Sequence, residues 1–129
     1  MKLLLTTLTA IAISLVAAQA GEIGEISKDD LKSAIETKKV VVIDVNGTDS
    51  FKTGHIPTAI DFEANEAKLA SLLPADKDAL IVAYCGSENC GAYKQAANAA
   101  VKLGYTNVKH FSPGLQGWKK SGEALESES

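Results

Sequence analysis

Two apolar runs, Val40-Val41-Val42-Ile43 and Ala79-Leu80-Ile81-Val82-Ala83-Tyr84, constrain this chain more than anything else in it. Successive side chains of a strand point to opposite faces. A strand that is apolar at every position therefore has both faces covered, as in a buried parallel sheet. The segments around the two runs supply the cover. Ser27 is placed to cap a helix, Asp29 and Asp30 suit its positive end, and Leu31, Ala34 and Ile35 form its buried stripe. The pattern predicts further helices over Asn65 to Leu73, followed by Pro74, and over Gly91 to Leu103, stopped by Gly104. Ala59 to Phe62 and Val108 to Phe111 read as strands, Asp44 to Thr53 as a polar link with a short helical turn, and Gly114 to Lys120 as a last short helix carrying Trp118. Strands alternating with helices imply an α/β fold, a central parallel sheet with helices on both faces. Sites in such sheets form at the carboxyl ends of strands, where Asp44-Val45-Asn46 and Cys85 both fall.

The N-terminus is of another kind. Lys2 is followed by the uncharged, mostly apolar run Leu3 to Val16, and then by Ala17-Ala18-Gln19-Ala20. This is the form of a secretory signal peptide over residues 1–20, cleaved after Ala20. An uncleaved anchor is the alternative, but the run falls short of the ~20 apolar residues that span a bilayer. No comparable stretch recurs, so the expectation is a secreted or periplasmic protein with no membrane contact after cleavage. Residues 21–129 make one domain, with a core over about 27–122 and a short polar tail, Glu123 to Ser129, expected to fray. They carry twelve lysines against sixteen acidic groups, a net charge of −4, with no basic patch, which argues against a nucleic-acid partner. All thirteen basic residues of the chain are lysine; there is no arginine.

Both cysteines sit in Ala83-Tyr84-Cys85-Gly86-Ser87-Glu88-Asn89-Cys90-Gly91, between a strand and a helix. At the strand end, the Cys85 thiol faces the positive end of the following helix, and the amides of residues 86–90 are placed to curl round it. Such a cradle stabilises a thiolate and lowers its pKa below the free value of ~8.5. Cys85 is thus the candidate nucleophile, in an anion-binding loop of Gly86, Ser87, Glu88, Asn89, Cys90 and Gly91; the alternative is an inert buried cysteine. Cys90 admits three roles. It can attack Cys85 when that residue carries a group, displacing the group and leaving a disulfide. It can form a resting disulfide that shields Cys85. Or it can pack as a small apolar residue. The curled loop brings its ends close, and a bridge needs the two alpha carbons within ~7 Å.

Four segments resemble the motifs of rhodanese-like domains. Val42-Ile43-Asp44-Val45-Asn46 through Gly54-His55-Ile56-Pro57-Thr58-Ala59-Ile60 is similar to the early motif, and Cys85 to Cys90 to the six-residue active-site loop. Gly104-Tyr105-Thr106-Asn107-Val108 and Gly114-Leu115-Gln116-Gly117-Trp118 resemble the closing motifs. The resemblance implies the rhodanese fold, a persulfide on Cys85, which Cys90 in its first role would attack to release sulfide, and sulfur passed from a small donor such as thiosulfate to a thiol or cyanide acceptor. A periplasmic redox protein is a candidate partner, and no metal or organic cofactor is implied. Related phosphatases carry a loop one residue longer and need an arginine, so phosphatase chemistry does not fit. The chain departs from the pattern at three places. Cys90 and Asn46 stand where arginine is frequent, and Thr58 where glycine is usual. The missing arginines leave less positive charge for a dianionic donor; Lys94 is a substitute point charge or a solvated surface lysine. A second class of function is a non-catalytic redox-sensing or protein-binding module switched by a Cys85–Cys90 disulfide.

Other residues read as supporting. Asp44 is placed to hold the loop through backbone amides, with Asn46 beside it. His55 reads as a hydrogen-bonded structural histidine, and His110 as a half-exposed strand residue. The cysteine–histidine spacings do not suit a zinc finger. Glu88 is expected to face solvent, because a carboxylate beside a thiolate opposes its ionisation. Tyr84 and Trp118 read as core. Asn46-Gly47-Thr48 matches a glycosylation acceptor pattern, which matters only in a host that glycosylates.

Overall fold

A computed structural model describes residues 23–128; residues 1–20, where the sequence pattern leads one to expect a signal peptide, lie outside them. The elements run β1 (Gly24–Glu25), α1 (Lys28–Glu36), β2 (Val41–Asp44), α2 (Thr48–Thr53), β3 (Ile60–Asp61), α3 (Phe62–Asn65), a 3-10 turn (Glu66–Lys68), α4 (Leu69–Leu72), β4 (Leu80–Tyr84), α5 (Tyr93–Lys102), β5 (Asn107–His110) and α6 (Gly114–Lys120). The five strands form one sheet in the order β1-β5-β4-β2-β3, and every pairing is parallel. The two apolar runs are β2 and β4, side by side in the middle, with Asp44 opposite Tyr84.

Their side chains divide by face. Ile43, Ile81 and Ala83 join one core with Phe62, Leu69, Leu73, Tyr105, Val108 and the α5 stripe Ala96, Ala97 and Ala100. Val42, Val82 and Tyr84 join the other with Ile26, Leu31, Ile56, Phe111 and Trp118. That two-sided burial is the physical reason both runs are apolar at each position. The small side chains of the alanine stripe let α5 lie close to the sheet.

The helix ends follow from local chemistry. Ser27 Oγ accepts the Asp30 amide at 3.1 Å, and Gly104, at φ +97°, follows α5 with its amide on the Val101 carbonyl at 2.9 Å. Four details differ from the expectations. The helix predicted over 65–73 is two short helices joined by a 3-10 turn. Asp61 already starts a helix, its side chain accepting the Ala64 amide at 3.4 Å and its carbonyl the Asn65 amide group at 2.8 Å. Phe62 is thereby drawn from strand to helix. A short edge strand, β1, has too few residues to show a pattern. The C-terminal segment is not frayed: His55 and Glu126 exchange backbone hydrogen bonds at 2.9 and 3.0 Å, and the Trp118 indole donates to the Ala124 carbonyl at 2.9 Å. Leu125 packs on the second core, and the Glu123 carboxylate bridges Lys28 and Lys32 at 3.3 and 3.1 Å. No helix among the described residues is long and apolar enough to cross a membrane.

Candidate active site at the carboxyl end of the sheet

Asp44 and Tyr84 are the last residues of adjacent strands, and their side chains meet. The Tyr84 hydroxyl donates to Asp44 Oδ2 and accepts the Ile56 amide at 3.0 Å. Asp44 Oδ1 accepts the Asn46 amide at 2.7 Å. The carboxyl is fully buried, and burial raises its pKa against the lowering effects of the Tyr84 hydroxyl, the Asn46 amide and His55. Burial, and then the Asp44 charge, push the Tyr84 hydroxyl far above its usual range. Tyr84 is core, as expected, and also a polar tie between β2, β4 and the loop before β3. Asp44 holds its own turn and, through Tyr84, the residue next to Cys85. It makes no direct hydrogen bond to the cysteine loop.

Cys85 follows at once. It is fully buried, and the structure joins its sulfur to that of Cys90, which is partly exposed. The alpha carbons lie 6.0 Å apart, within the ~7 Å that a bridge requires. Cys85 Sγ also accepts the Tyr93 amide, the first of α5, at 3.0 Å. This differs from the cradle of amides 86–90. The Cys90 amide turns instead to the Ser87 carbonyl at 3.2 Å, in a loop whose last residue is bonded to Cys85. Glu88 and Asn89 are exposed, Ser87 is partly so, and Lys94 is a solvated surface lysine.

The loop is held from behind by α6. The Leu115 amide donates to the Cys85 carbonyl and the Gln116 amide to the Gly86 carbonyl, each at 2.9 Å. Gly114 permits that approach: it sits at φ +64°, and a Cβ there would lie 2.6 Å from the Cys85 oxygen, 2.8 Å from the Gly86 carbonyl carbon and 2.9 Å from the Ser87 nitrogen. On the other side, Asn46 Oδ1 stands 3.4 Å from where a Gly86 Cβ would be. Asn46 Nδ2 is buried without a partner. A hollow of about 330 Å³ lies on the outer side of the loop, between Ser87, Glu88, Asn89 and the α6 residues Gln116, Gly117 and Lys120. Neither cysteine lines it.

His55 donates from Nδ1 to the Phe51 carbonyl at 2.7 Å and stacks on the Phe51 ring, a structural histidine as expected. His110 is not half exposed. It is 4% exposed, with its ring stacked on Tyr93 at 3.4 Å and Nδ1 donating to Glu25 Oε1 at 3.0 Å; Nε2 has no partner. The alternation along β5 that turns Val108 inward also turns His110 inward, under the first turn of α5. The sequence signal was available in that two-residue spacing. Among the described residues no cluster of three His, Cys, Asp or Glu side chains converges on a metal position.

A parallel sheet in this order, with a cysteine loop clamped between β4 and the start of α5, defines a rhodanese-type domain. The sequence pattern of the rhodanese-like domain family matches residues 27–121, and the chain belongs to that family. YibN of Escherichia coli K12, an uncharacterized protein, is 27% identical over 121 residues, which cover 92% of this chain and 81% of the relative. The HTH-type transcriptional regulator Rv0324 of Mycobacterium tuberculosis H37Rv is 32% identical over 98 residues, 75% of this chain and 42% of that protein. Among solved structures, the 3-mercaptopyruvate sulfotransferase SseA of Escherichia coli aligns with a TM-score of 0.66 at 19% identity, over 82% of this chain and 51% of SseA. That likeness is one of fold.

Proposed function

We propose that the chain is a sulfurtransferase in which Cys85 carries sulfane sulfur as a persulfide and hands it to a thiol. The observation that carries this reading is the placement of Cys85 Sγ. It lies at the carboxyl end of the central strand and accepts the Tyr93 amide at the start of α5. An amide aimed at sulfur favours its anionic form. SseA, a 3-mercaptopyruvate sulfotransferase on the same fold, supports the same chemistry. Sulfur loading requires the Cys85–Cys90 bond to be opened first, so the competent form is the reduced one. With no arginine in the chain, a dianionic donor finds no guanidinium at the loop, and a neutral or monoanionic persulfide is the better match. The signal-peptide-like N-terminal pattern supports a setting outside the cytoplasm, where a thiol-reducing partner would keep the pair open.

The disulfide itself favours a second reading, a module that senses redox state or binds a partner and switches between bridged and open loops. The name of Rv0324, a transcriptional regulator, is in keeping with such a role. Intact mass separates the two. Fully reduced Cys90→Ser protein treated with a sulfur donor and desalted gains one sulfur if Cys85 is a carrier; adding Cys85→Ser abolishes the gain. Failure of every donor to add sulfur to the reduced Cys90→Ser protein leaves the switch.

A further inference from the structure

We propose that Cys90 is a resolving thiol: it discharges the persulfide on Cys85 as sulfide, and an external dithiol that attacks Cys90 reopens the resulting disulfide. The inference rests on the sulfurtransferase reading and names its acceptor.

The two sulfurs are bonded across a loop whose alpha-carbon separation, 6.0 Å, falls inside the usual disulfide range of roughly 4.4–6.8 Å, so bridging asks for no displacement of the strand end or of α5. The acceptor is therefore built into the loop. The two cysteines are also unequal. Cys85 is sealed and its sulfur takes the Tyr93 amide; Cys90 is partly open to solvent. Glu88 and Asn89, between them, are exposed. Thiol–disulfide exchange favours attack on the accessible sulfur and departure of the sulfur whose anion is better stabilised. Both preferences point the same way here: the incoming thiolate meets Cys90, and Cys85 leaves.

The steps balance. The Cys90 thiolate attacks Cys85 Sγ; the bond from Sγ to the terminal sulfur breaks, and that sulfur departs as HS⁻ with the electron pair. The terminal sulfur gains two electrons, and the two cysteine sulfurs lose one each on forming their bond. A dithiol then resets the site. Its first thiolate bonds to Cys90 Sγ and expels the Cys85 thiolate. Its second thiol closes on the first, frees Cys90, and the dithiol leaves as a disulfide. The partner class is a reduced dithiol protein that docks over the exposed Ser87–Cys90 segment.

The test uses the full chain as wild type, Cys90→Ser, Cys90→Ala and Cys85→Ser. Each is reduced, given glutathione persulfide, desalted at once, and followed by sulfide assay and intact mass. Wild type is expected to release one sulfide per chain and end two hydrogens lighter than the reduced form. Both Cys90 variants are expected to retain one added sulfur and to release sulfide at least about tenfold more slowly. Release from the Cys90 variants at the wild-type rate overturns the resolving role while leaving sulfur transfer intact. If the Cys90 variants take up no sulfur, the sulfurtransferase reading fails and the inference goes with it. In a second arm, oxidised wild type is treated with glutathione, the freed thiol is blocked with iodoacetamide, and fragment ions locate the adduct. Glutathione on Cys90 is expected; glutathione on Cys85 overturns the order of attack.

Discussion

Gly114→Ala tests whether the cysteine loop is held by the close approach of α6. Two costs follow from the structure. At φ +64° an alanine pays about 1–2 kcal/mol for the left-handed backbone. Its Cβ would also lie 2.6, 2.8 and 2.9 Å from the Cys85 oxygen, the Gly86 carbonyl carbon and the Ser87 nitrogen. All three are main-chain atoms, so no side chain can swing away, and relieving the overlap costs about 1–3 kcal/mol as in other overpacked sites. The shift stretches the Leu115 and Gln116 hydrogen bonds to the loop, worth about 1 kcal/mol each. The expected loss is about 3–5 kcal/mol, taking these as overlapping rather than additive. Gly122→Ala is the matched control: its φ is +83°, and nothing lies within 4 Å of its added Cβ. That variant is expected to lose only the backbone part, about 1–2 kcal/mol. Equilibrium urea unfolding of the two oxidised variants, with matched slopes, measures the difference. Equal losses would refute the argument, since they would mean that the loop yields without resistance. A further readout is reduction of the Cys85–Cys90 bond by dithiothreitol, expected to quicken in Gly114→Ala and not in Gly122→Ala.

Two more outcomes follow from the same surroundings. Thr58 holds φ +73° with an exposed side chain, a costly place for a β-branched residue, so Thr58→Gly is expected to stabilise the domain by about 0.5–1 kcal/mol in urea, the left-handed strain less the extra chain entropy of glycine; its amide contact with Glu126 is unaffected by the change. Asp44→Asn removes an acceptor from either the Tyr84 hydroxyl or the Asn46 amide and is expected to cost about 1–3 kcal/mol. The carboxyl's folded pKa is raised above 3.8, so its favourable contribution is complete below that value and is lost as pH rises through the folded pKa. The penalty of the substitution should then be larger at about pH 3 than at about pH 7, as measured by urea unfolding at both; a penalty that grows with pH would show the sign to be wrong.

Much of the architecture was legible in the residues. Continuous apolarity marked β2 and β4 as central, Ser27 and Gly104 marked helix ends, and the position of Cys85 after an apolar run put the site at a strand's carboxyl end. These signals are local: caps, periodicity and strand-end placement act over a few residues and leave their trace in the composition of those residues. The broken helix after β3 was hidden because its cause, the Asp61 cap, competes with an equally plausible strand over the same positions. The ordered C-terminus was hidden because Leu125, two backbone bonds to His55, the Trp118 indole and the Glu123 bridges carry it, and contacts with residues distant in the chain leave no local pattern.

What the sequence determined by itself was a covered parallel sheet with two thiols at one corner, since burial on both faces and chain connectivity admit little else. Which thiol is sealed and which is open, where the Tyr93 amide points, and how closely Gly114 meets the loop were decided only by packing. Those contacts join β4, α5 and α6, segments separate in the chain, and no residue carries in its own identity the distance to a neighbour brought up from elsewhere.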